Sequence, residues 1–210
     1  MRALTRSTLS EGARALRARD RDLARILDRL GEPPLWGRRP GFSALVRVIL
    51  EQQVSLASAR SLYRTLHVHL GGVTAEKVHR AGETGLRELG CTRQKARYCY
   101  ELAARILDGR LDLAAVAALP DEVGRSLLLA VPGIGPWSVD IYYLMALRRP
   151  DVWPEGDLAL AAALREIKRM DDLPTQAAQR AMAAAWLPWR SVAARVLWAH
   201  YLAARGQYSP

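Results

Sequence analysis

The sequence predicts an all-α protein, and three observations support that prediction. Apolar residues recur at spacings of three and four along most of the chain, which is the pattern of one buried helix face. The alternating runs of Val, Ile, Thr and aromatic residues that are typical of strands are missing. Proline and glycine divide the chain into segments of helical length.

The individual helices follow from the apolar spacing and from the residues that end each segment. The spacing recurs at residues 23–30, 45–50 and 62–70, with Gly31 and Gly71 placed as C-caps. The clearest non-helical connection is the proline- and glycine-rich segment 32–41. Further helices are expected at about residues 92–108, 120–130, 137–148, 157–169, 174–185 and 190–204.

The charge of the chain favours a polyanionic partner. Lys and Arg number 31 against 21 Asp and Glu, which gives a formal net charge of +10 at pH 7. DNA or RNA is the first expectation, ahead of an anionic membrane surface. Genomic base composition would explain why arginine outnumbers lysine, but it explains the net excess of cations less well.

The composition also argues against membrane insertion and against a metal cluster. The longest apolar stretches, 127–134 and 158–164, are too short to span a bilayer. Charged residues such as Arg6 interrupt any apolar segment near the N-terminus, so we expect a cytoplasmic protein with no membrane partner. The chain has only two cysteines, Cys91 and Cys99, which cannot supply four thiolates to an iron–sulfur cluster.

The most specific local motif is Val-Pro-Gly-Ile-Gly-Pro-Trp-Ser at residues 131–138. A helix ends at Pro132, Gly-Ile-Gly turns the chain, and Pro136 starts a second helix. The apolar residue between the glycines fills the angle between the helices. Glycine amides and the N-terminus of the second helix would bind a phosphate without reading a base. The alternative is an ordinary helical turn.

A second candidate lies downstream, where Pro154 and Gly156 break the chain before Asp157. The simplest interpretation of Asp157 is an N-cap. A carboxylate beside a phosphate-binding motif is unfavourable, however, unless it faces positive charge that develops during a reaction. Asp157 is therefore also a candidate catalytic residue.

Together these motifs resemble the helix-hairpin-helix/Gly-Pro-Asp DNA glycosylases, and three more segments resemble the 3-methyladenine DNA glycosylase II type. The resemblance covers about residues 40–202. The three segments are Ile-Leu-Glu-Gln-Gln-Val-Ser at 49–55, Pro-Asp-Val-Trp-Pro at 150–154, and Pro-Trp-Arg-Ser at 188–191 followed by Leu197 and Trp198.

The resemblance implies an organisation in two helical lobes with an active-site cleft between them. We expect a central bundle at about residues 55–150, and a second lobe formed by about residues 1–54 plus 151–210. An extra N-terminal β-rich domain, present in a longer relative, is expected to be absent.

By the same resemblance, Asp157 is the essential aspartate. A fixed anion stabilises the oxocarbenium character that develops at the sugar when the N-glycosidic bond breaks, or it orients the attacking water. Relatives that also cut the strand have a lysine just after the hairpin, where this sequence has Trp137. We therefore expect a monofunctional enzyme without lyase activity.

The remaining site residues are also implied by the resemblance. Trp137 and Trp198 match positions that line the pocket for the flipped base, where an aromatic wall attracts a cationic base. Ile141 stands where a relative has a pocket tyrosine, and the neighbouring Tyr142 is a candidate to replace it.

The expected DNA contacts come from the hairpin and from the early Gln-Gln pair. Gln53 is expected to fill the gap left by the flipped base, beside Gln52. Gly133, Ile134 and Gly135 would contact phosphate through the hairpin backbone. Further implied groups are phosphate contacts from Arg148 and Arg149, and a structural sodium or potassium ion on the carbonyls of Leu129, Val131 and Ile134.

The expected function is thus release of alkylated purines of the 3-methyladenine or 7-methylguanine type from damaged double-stranded DNA, in base excision repair. The enzyme is expected to be a monomer that needs no cofactor beyond the hairpin ion. Two alternatives stay open. One is a glycosylase for deaminated, etheno or mismatched bases. The other is a non-catalytic helix-hairpin-helix DNA-binding protein.

Overall fold

The structure, a computed structural model, describes residues 3–208 and confirms the all-α prediction for them, with twelve α-helices and no strand. None of these helices is both long enough and apolar enough to cross a bilayer. In chain order they are α1 (Arg6–Arg19), α2 (Arg21–Leu30), α3 (Phe42–Glu51), α4 (Leu56–His69), α5 (Ala75–Glu88), α6 (Arg93–Leu107), α7 (Leu113–Ala118), α8 (Asp121–Leu129), α9 (Pro136–Met145), α10 (Leu158–Lys168), α11 (Gln176–Ala184) and α12 (Arg190–Ala203).

The chain divides into two compact units, one of which is discontinuous. The first unit combines the residues up to Gly37 with those from Tyr143 onward, and the second runs from Arg38 to Tyr142. We expected the division near residues 55 and 150. The contacts of α3 with α4 and α6 assign α3 to the second unit, and the later boundary falls within α9.

The first unit is organised around α12, which packs against α1, α2, α10 and α11. Every residue from Ser191 to Ala199 of α12 is buried. Arg195, in the middle of this segment, donates a 3.0 Å hydrogen bond to the carbonyl of Leu144 near the C-terminal end of α9. Burial, with a contribution from the charge of Arg148, lowers the pKa of Arg195 to about 10.

The second unit contains α3 to α8 and the first part of α9. Its strongest helix pairs are α5 with α6, α7 with α8, and α3 with α4 and α6. Side-chain N-caps start several of its helices, as expected for Ser, Thr and Asp at these positions. These caps are Ser55 for α4, Thr74 for α5, Thr92 for α6 and Asp112 for α7.

Candidate active site and phosphate-binding hairpin

Asp157 is the N-cap of α10 and is held by two hydrogen bonds to one oxygen. Its Oδ1 accepts from the backbone N–H of Leu160 at 2.9 Å and from the indole N–H of Trp198 at 3.2 Å. Only 9% of Asp157 is exposed. The carboxylate therefore has a defined orientation, and the N-terminus of α10 stabilises its negative charge. Both sequence interpretations of Asp157, N-cap and candidate catalytic group, are compatible with this geometry.

The loop before Asp157 is anchored to the start of α12. Arg190 pairs with Asp151 through Nε to Oδ1 at 2.8 Å and Nη2 to Oδ2 at 2.9 Å. The hydroxyl of Ser191 accepts from the N–H of Val152 at 2.9 Å. Bidentate pairs of this kind fix geometry as well as adding energy. The Pro-Trp-Arg-Ser segment thus positions the loop that leads to Asp157.

Trp198, which is predicted to line the base pocket, contacts Asp157 directly. The side chain extends from the buried face of α12 and is itself 9% exposed. Its indole N–H is used by the carboxylate. Trp198 therefore acts first as a donor that orients Asp157. Sequence spacing does not reveal this bond, because 41 residues separate the two positions.

The hairpin has the expected form, with α8, a turn and α9. The side chain of Ile134 is buried between the two glycines, at 4% exposure. The N–H of Ile134 donates to the carbonyl of Val131 at 3.1 Å, so this amide is already used within the turn. An ion pair between Arg125 of α8 and Asp140 of α9 joins the two helices.

The two hairpin glycines have different surroundings. Gly133 has a φ of +85°, and a Cβ placed there would lie 2.1 Å from Cγ of Tyr98 on α6. Gly135 is exposed, and nothing lies within 4 Å of a Cβ at that position. Within residues 3–208 neither N–H donates to another residue. Both amides therefore have no acceptor within the described part of the chain, and their binding of an anion at the start of α9 stays a prediction.

The Gln-Gln pair separates into an inward residue and an outward residue. Gln52 donates through Nε2 to the carbonyl of Gly133 at 2.8 Å and to the hydroxyl of Ser138 at 2.9 Å. Gln53 is exposed and has a φ of +58°, a left-handed conformation uncommon for a residue with a side chain. Gln52 thus joins the α3–α4 turn to the hairpin, and Gln53 lies at the tip of that turn.

Two expected contact residues are buried, so their predicted roles stay predictions. Tyr142 is 1% exposed, and its hydroxyl accepts the N–H of Gly41 at 3.1 Å, which stabilises the start of α3. Arg149 is 8% exposed, whereas Arg148 is exposed. Trp137 is half-buried and remains a candidate for the pocket.

The hairpin carbonyls fit the predicted cation in part. The carbonyl of Val131 accepts the N–H of Ile134, which leaves one of its two lone pairs for an ion. No group of three or more metal-binding side chains occurs in the described part of the chain. Any ion at the hairpin would therefore depend on backbone oxygens, and this site stays a prediction.

Two features of the second unit were not predicted from the sequence. Tyr98 lies under Gly133 and makes glycine obligatory there. Arg47, Arg60 and Arg64 line a surface pocket between α3 and α4. Arg60 and Arg64 are four residues apart and so lie on one face of a helix, and this spacing could have indicated the pocket.

Known proteins match this chain over most of its length. The family model of the HhH-GPD superfamily base excision DNA repair proteins matches residues 46–190. A putative DNA-3-methyladenine glycosylase, YfjP, of Bacillus subtilis is 30% identical over 75% of this chain and 58% of its own length. The probable bifunctional transcriptional activator/DNA repair enzyme AlkA of Mycobacterium tuberculosis is 30% identical over 91% of this chain and 42% of its own. The chain thus spans about half the length of these curated relatives.

Solved structures share the fold. The 3-methyladenine DNA glycosylase Mag1 of Schizosaccharomyces pombe, in complex with abasic DNA, has a TM-score of 0.85 at 21% identity, covering 95% of this chain and all of that one. A DNA-3-methyladenine glycosidase of Bacillus halodurans has a TM-score of 0.77 at 26% identity, covering 99% and 96%. With the family match across most of its length, the chain belongs to the HhH-GPD superfamily of base excision DNA repair proteins.

Proposed function

We propose that this protein is a DNA glycosylase that hydrolyses the N-glycosidic bond of alkylated purines in duplex DNA. The observation that carries the proposal is Asp157, a mostly buried carboxylate fixed at a helix N-terminus by Leu160 and Trp198. The names of YfjP, Mag1 and the Bacillus halodurans protein support 3-methyladenine as the type of lesion.

The chemistry needs one well-placed anion. Alkylation at N3 or N7 makes the purine cationic, so the base leaves with the bonding electron pair as a neutral molecule. Positive charge then develops at C1′ of the sugar, where Asp157 stabilises it. Water attacks C1′, its proton is lost to the carboxylate or to solvent, and an abasic site remains in an intact strand.

The role of Trp198 in this scheme is to position the carboxylate. A hydrogen bond to a charged group contributes roughly 1.5–3 kcal/mol. Because the bond joins α12 to the first residue before α10, it fixes the carboxylate before DNA binds. Electrostatic stabilisation of a transition state depends on such preorganisation, since little reorientation is then needed during the reaction.

The duplex would be bound through the hairpin and the adjoining turn. The amides of Gly133 and Gly135 hold a phosphate at the start of α9, and Gln53 fills the gap left by the flipped base. The half-buried Trp137 contacts the base in its pocket, and the exposed Arg148 adds a phosphate contact. Asp157 and the hairpin belong to the same chain, and the proposed enzyme acts as a monomer.

The test compares base release by the wild type and by Asp157→Asn. Duplexes containing 3-methyladenine, 7-methylguanine, ethenoadenine, hypoxanthine or uracil are incubated with each protein, and abasic sites are then cleaved with alkali. We expect wild-type release of the methylated purines, and a loss of about 100-fold or more in the variant. No release of any base by the wild type would contradict the enzymatic proposal.

The matched control is Asp112→Asn. Asp112 is the N-cap of α7 and accepts the N–H of Ala114 at 2.8 Å, so the same amide replacement is made at a helix N-terminus in the second unit. Asparagine is as good an N-cap as aspartate, so both variants should fold. Base release by Asp112→Asn should match the wild type.

A further inference from the structure

A basic surface pocket lies between α3 and α4 in the second unit. Its volume is about 300 Å³, enough for a phosphate group with its adjoining sugar. The walls carry three guanidinium groups and two aromatic rings. The residues that matter here are Arg47, Arg60, Tyr63, Arg64 and His67.

The positive charge of this pocket is not neutralised by its own residues. Glu51 is the one carboxylate among the residues that line it, and Arg38 already pairs with Glu51 at 2.6 Å. Arg60 and Arg64 form no ion pair or hydrogen bond with another residue in the described part of the chain. Three guanidinium groups that line one pocket without a counterion repel one another, and an anion in the pocket would offset that repulsion.

Arg47 and Tyr63 are held in place by their own contacts. The guanidinium of Arg47 lies 3.9 Å from the centre of the Tyr63 ring. The hydroxyl of Tyr63 is 2.7 Å from that of Ser43, and the Tyr63 ring stacks with His67. Stacking uses the face of a guanidinium group and leaves the N–H donors at its edge for bidentate hydrogen bonds, which suit phosphate.

The position of the pocket favours duplex DNA as the source of the phosphate. The turn that exposes Gln53 leads directly into α4, and Arg60 lies one helical turn, about 6 Å, beyond the first residue of α4. Gln52 connects the same turn to the hairpin through Gly133. The pocket, the turn and the hairpin are thus parts of one unit, and this connection favours a phosphate of the duplex as the anion that the pocket takes.

We propose that this pocket binds a phosphodiester of the bound duplex, in addition to the phosphate at the hairpin. The inference rests on the proposed function, because it takes DNA as the ligand. Arg60 and Arg64 supply the charge, and Arg47 on Tyr63 supplies a preoriented donor. The pocket reads no base, so it strengthens binding equally for every sequence.

The experiment measures how duplex affinity depends on salt for the wild type and for Arg60→Gln/Arg64→Gln. The probe is an undamaged duplex in phosphate-free buffer. Each phosphate contact contributes about 0.9 to the slope of log affinity against log salt concentration. We expect the variant to lose about one contact, so its slope falls by about 0.9. Arg80→Gln/Arg87→Gln, which removes two exposed charges on α5, should keep the wild-type slope.

Every outcome bears on the pocket separately from the glycosylase activity. If the wild type binds DNA and both double variants keep its salt slope, the pocket proposal is wrong and the proposed function stands. Failure of the wild type to bind any duplex would contradict both. A second measurement adds inorganic phosphate or deoxyadenosine 5′-monophosphate to the protein. If either ligand saturates the pocket and the affinity for the duplex does not change, the pocket does not bind a phosphodiester of the duplex. If the double variant is unstable, Arg64→Gln alone should show part of the loss.

Discussion

The indole N–H of Trp198 donates a 3.2 Å hydrogen bond to Oδ1 of Asp157, and the same oxygen accepts the backbone N–H of Leu160. An aromatic residue on the buried face of α12 thus sets the orientation of a carboxylate at the start of α10. Trp198 is therefore a positioning residue, and the effect of its N–H donor can be tested separately from the effect of its size and apolarity.

Trp198→Phe removes the N–H donor and keeps the aromatic ring. Because a hydrogen bond to a charged group contributes roughly 1.5–3 kcal/mol, we expect base release under single-turnover conditions to slow by about 10- to 100-fold. The affinity for the duplex should not change. Trp186→Phe is the control, since it also loses an indole bond to an aspartate, here Asp20 at 3.0 Å. An unchanged rate in Trp198→Phe would refute the positioning role.

The two hairpin glycines should respond differently to alanine. Gly133→Ala forces a Cβ onto Tyr98 and a side chain into a positive φ, so we expect a stability loss of about 3 kcal/mol in urea unfolding. Adding Tyr98→Ala should recover part of this loss. Gly135→Ala should leave stability unchanged but weaken duplex binding, because its methyl group would stand at the phosphate site. Equal destabilisation by the two alanines would contradict the structure.

The Gln-Gln pair gives a second matched comparison. Gln52→Ala loses the bonds to Gly133 and Ser138, and we expect it to lower the unfolding free energy by about 1–3 kcal/mol. Gln53→Ala should leave stability unchanged, because the side chain is exposed, and should reduce base release at saturating protein. Thermal unfolding and single-turnover assays distinguish the two. A loss of stability in Gln53→Ala, with base release reduced only in Gln52→Ala, would contradict these two roles.

The resemblance drawn from the sequence places Trp137 at the position just after the hairpin where relatives that cut the strand have a lysine nucleophile. We therefore expect no strand scission without alkali during incubation with lesion-containing duplex. Borohydride reduction should trap no covalent protein–DNA adduct, since no Schiff base forms. A lyase of known activity serves as the positive control. Detection of a trapped adduct would show that another amine attacks the sugar.

The buried thiol of Cys91 makes stability depend on pH above neutrality. Burial raises the pKa of Cys91 from 9.0 to about 11, against a smaller opposing effect of Lys95. The unfolded chain therefore loses this proton at lower pH than the folded chain, and the unfolding free energy falls between about pH 9 and 11. We expect Cys91 to account for up to about 2 kcal/mol of this fall. Urea titrations should give a flatter profile for Cys91→Ala, and parallel profiles would exclude this cause.

Local signals in the sequence were sufficient to predict the backbone around the candidate site. Pro-Gly-Ile-Gly-Pro predicts the end of one helix, a turn and the start of another, because each residue constrains its own backbone and that of its neighbours. An aspartate after Pro154 and Gly156 predicts the N-cap at Asp157 for the same reason. The structure has both features.

Burial and side-chain direction were harder to predict from the sequence. Tyr142 and Arg149 are polar residues at positions that fit a binding surface, yet both are buried. Whether a residue is covered depends on which helices pack around it, and those partners are distant in the chain. The contact of Tyr142 with Gly41, 101 residues away, is an example.

Local sequence features predicted the helical class, the family resemblance, the hairpin and the aspartate, because spacing, proline, glycine and capping residues act over a few positions. The packed structure was needed to show that Trp198 bonds to Asp157, that Gln52 joins the turn to the hairpin, and that Arg47 lies with residues of α4 in one pocket. These relationships require side chains from separate helices to converge. Their free energy arises only once the helices have packed, so no local pattern of residues encodes them.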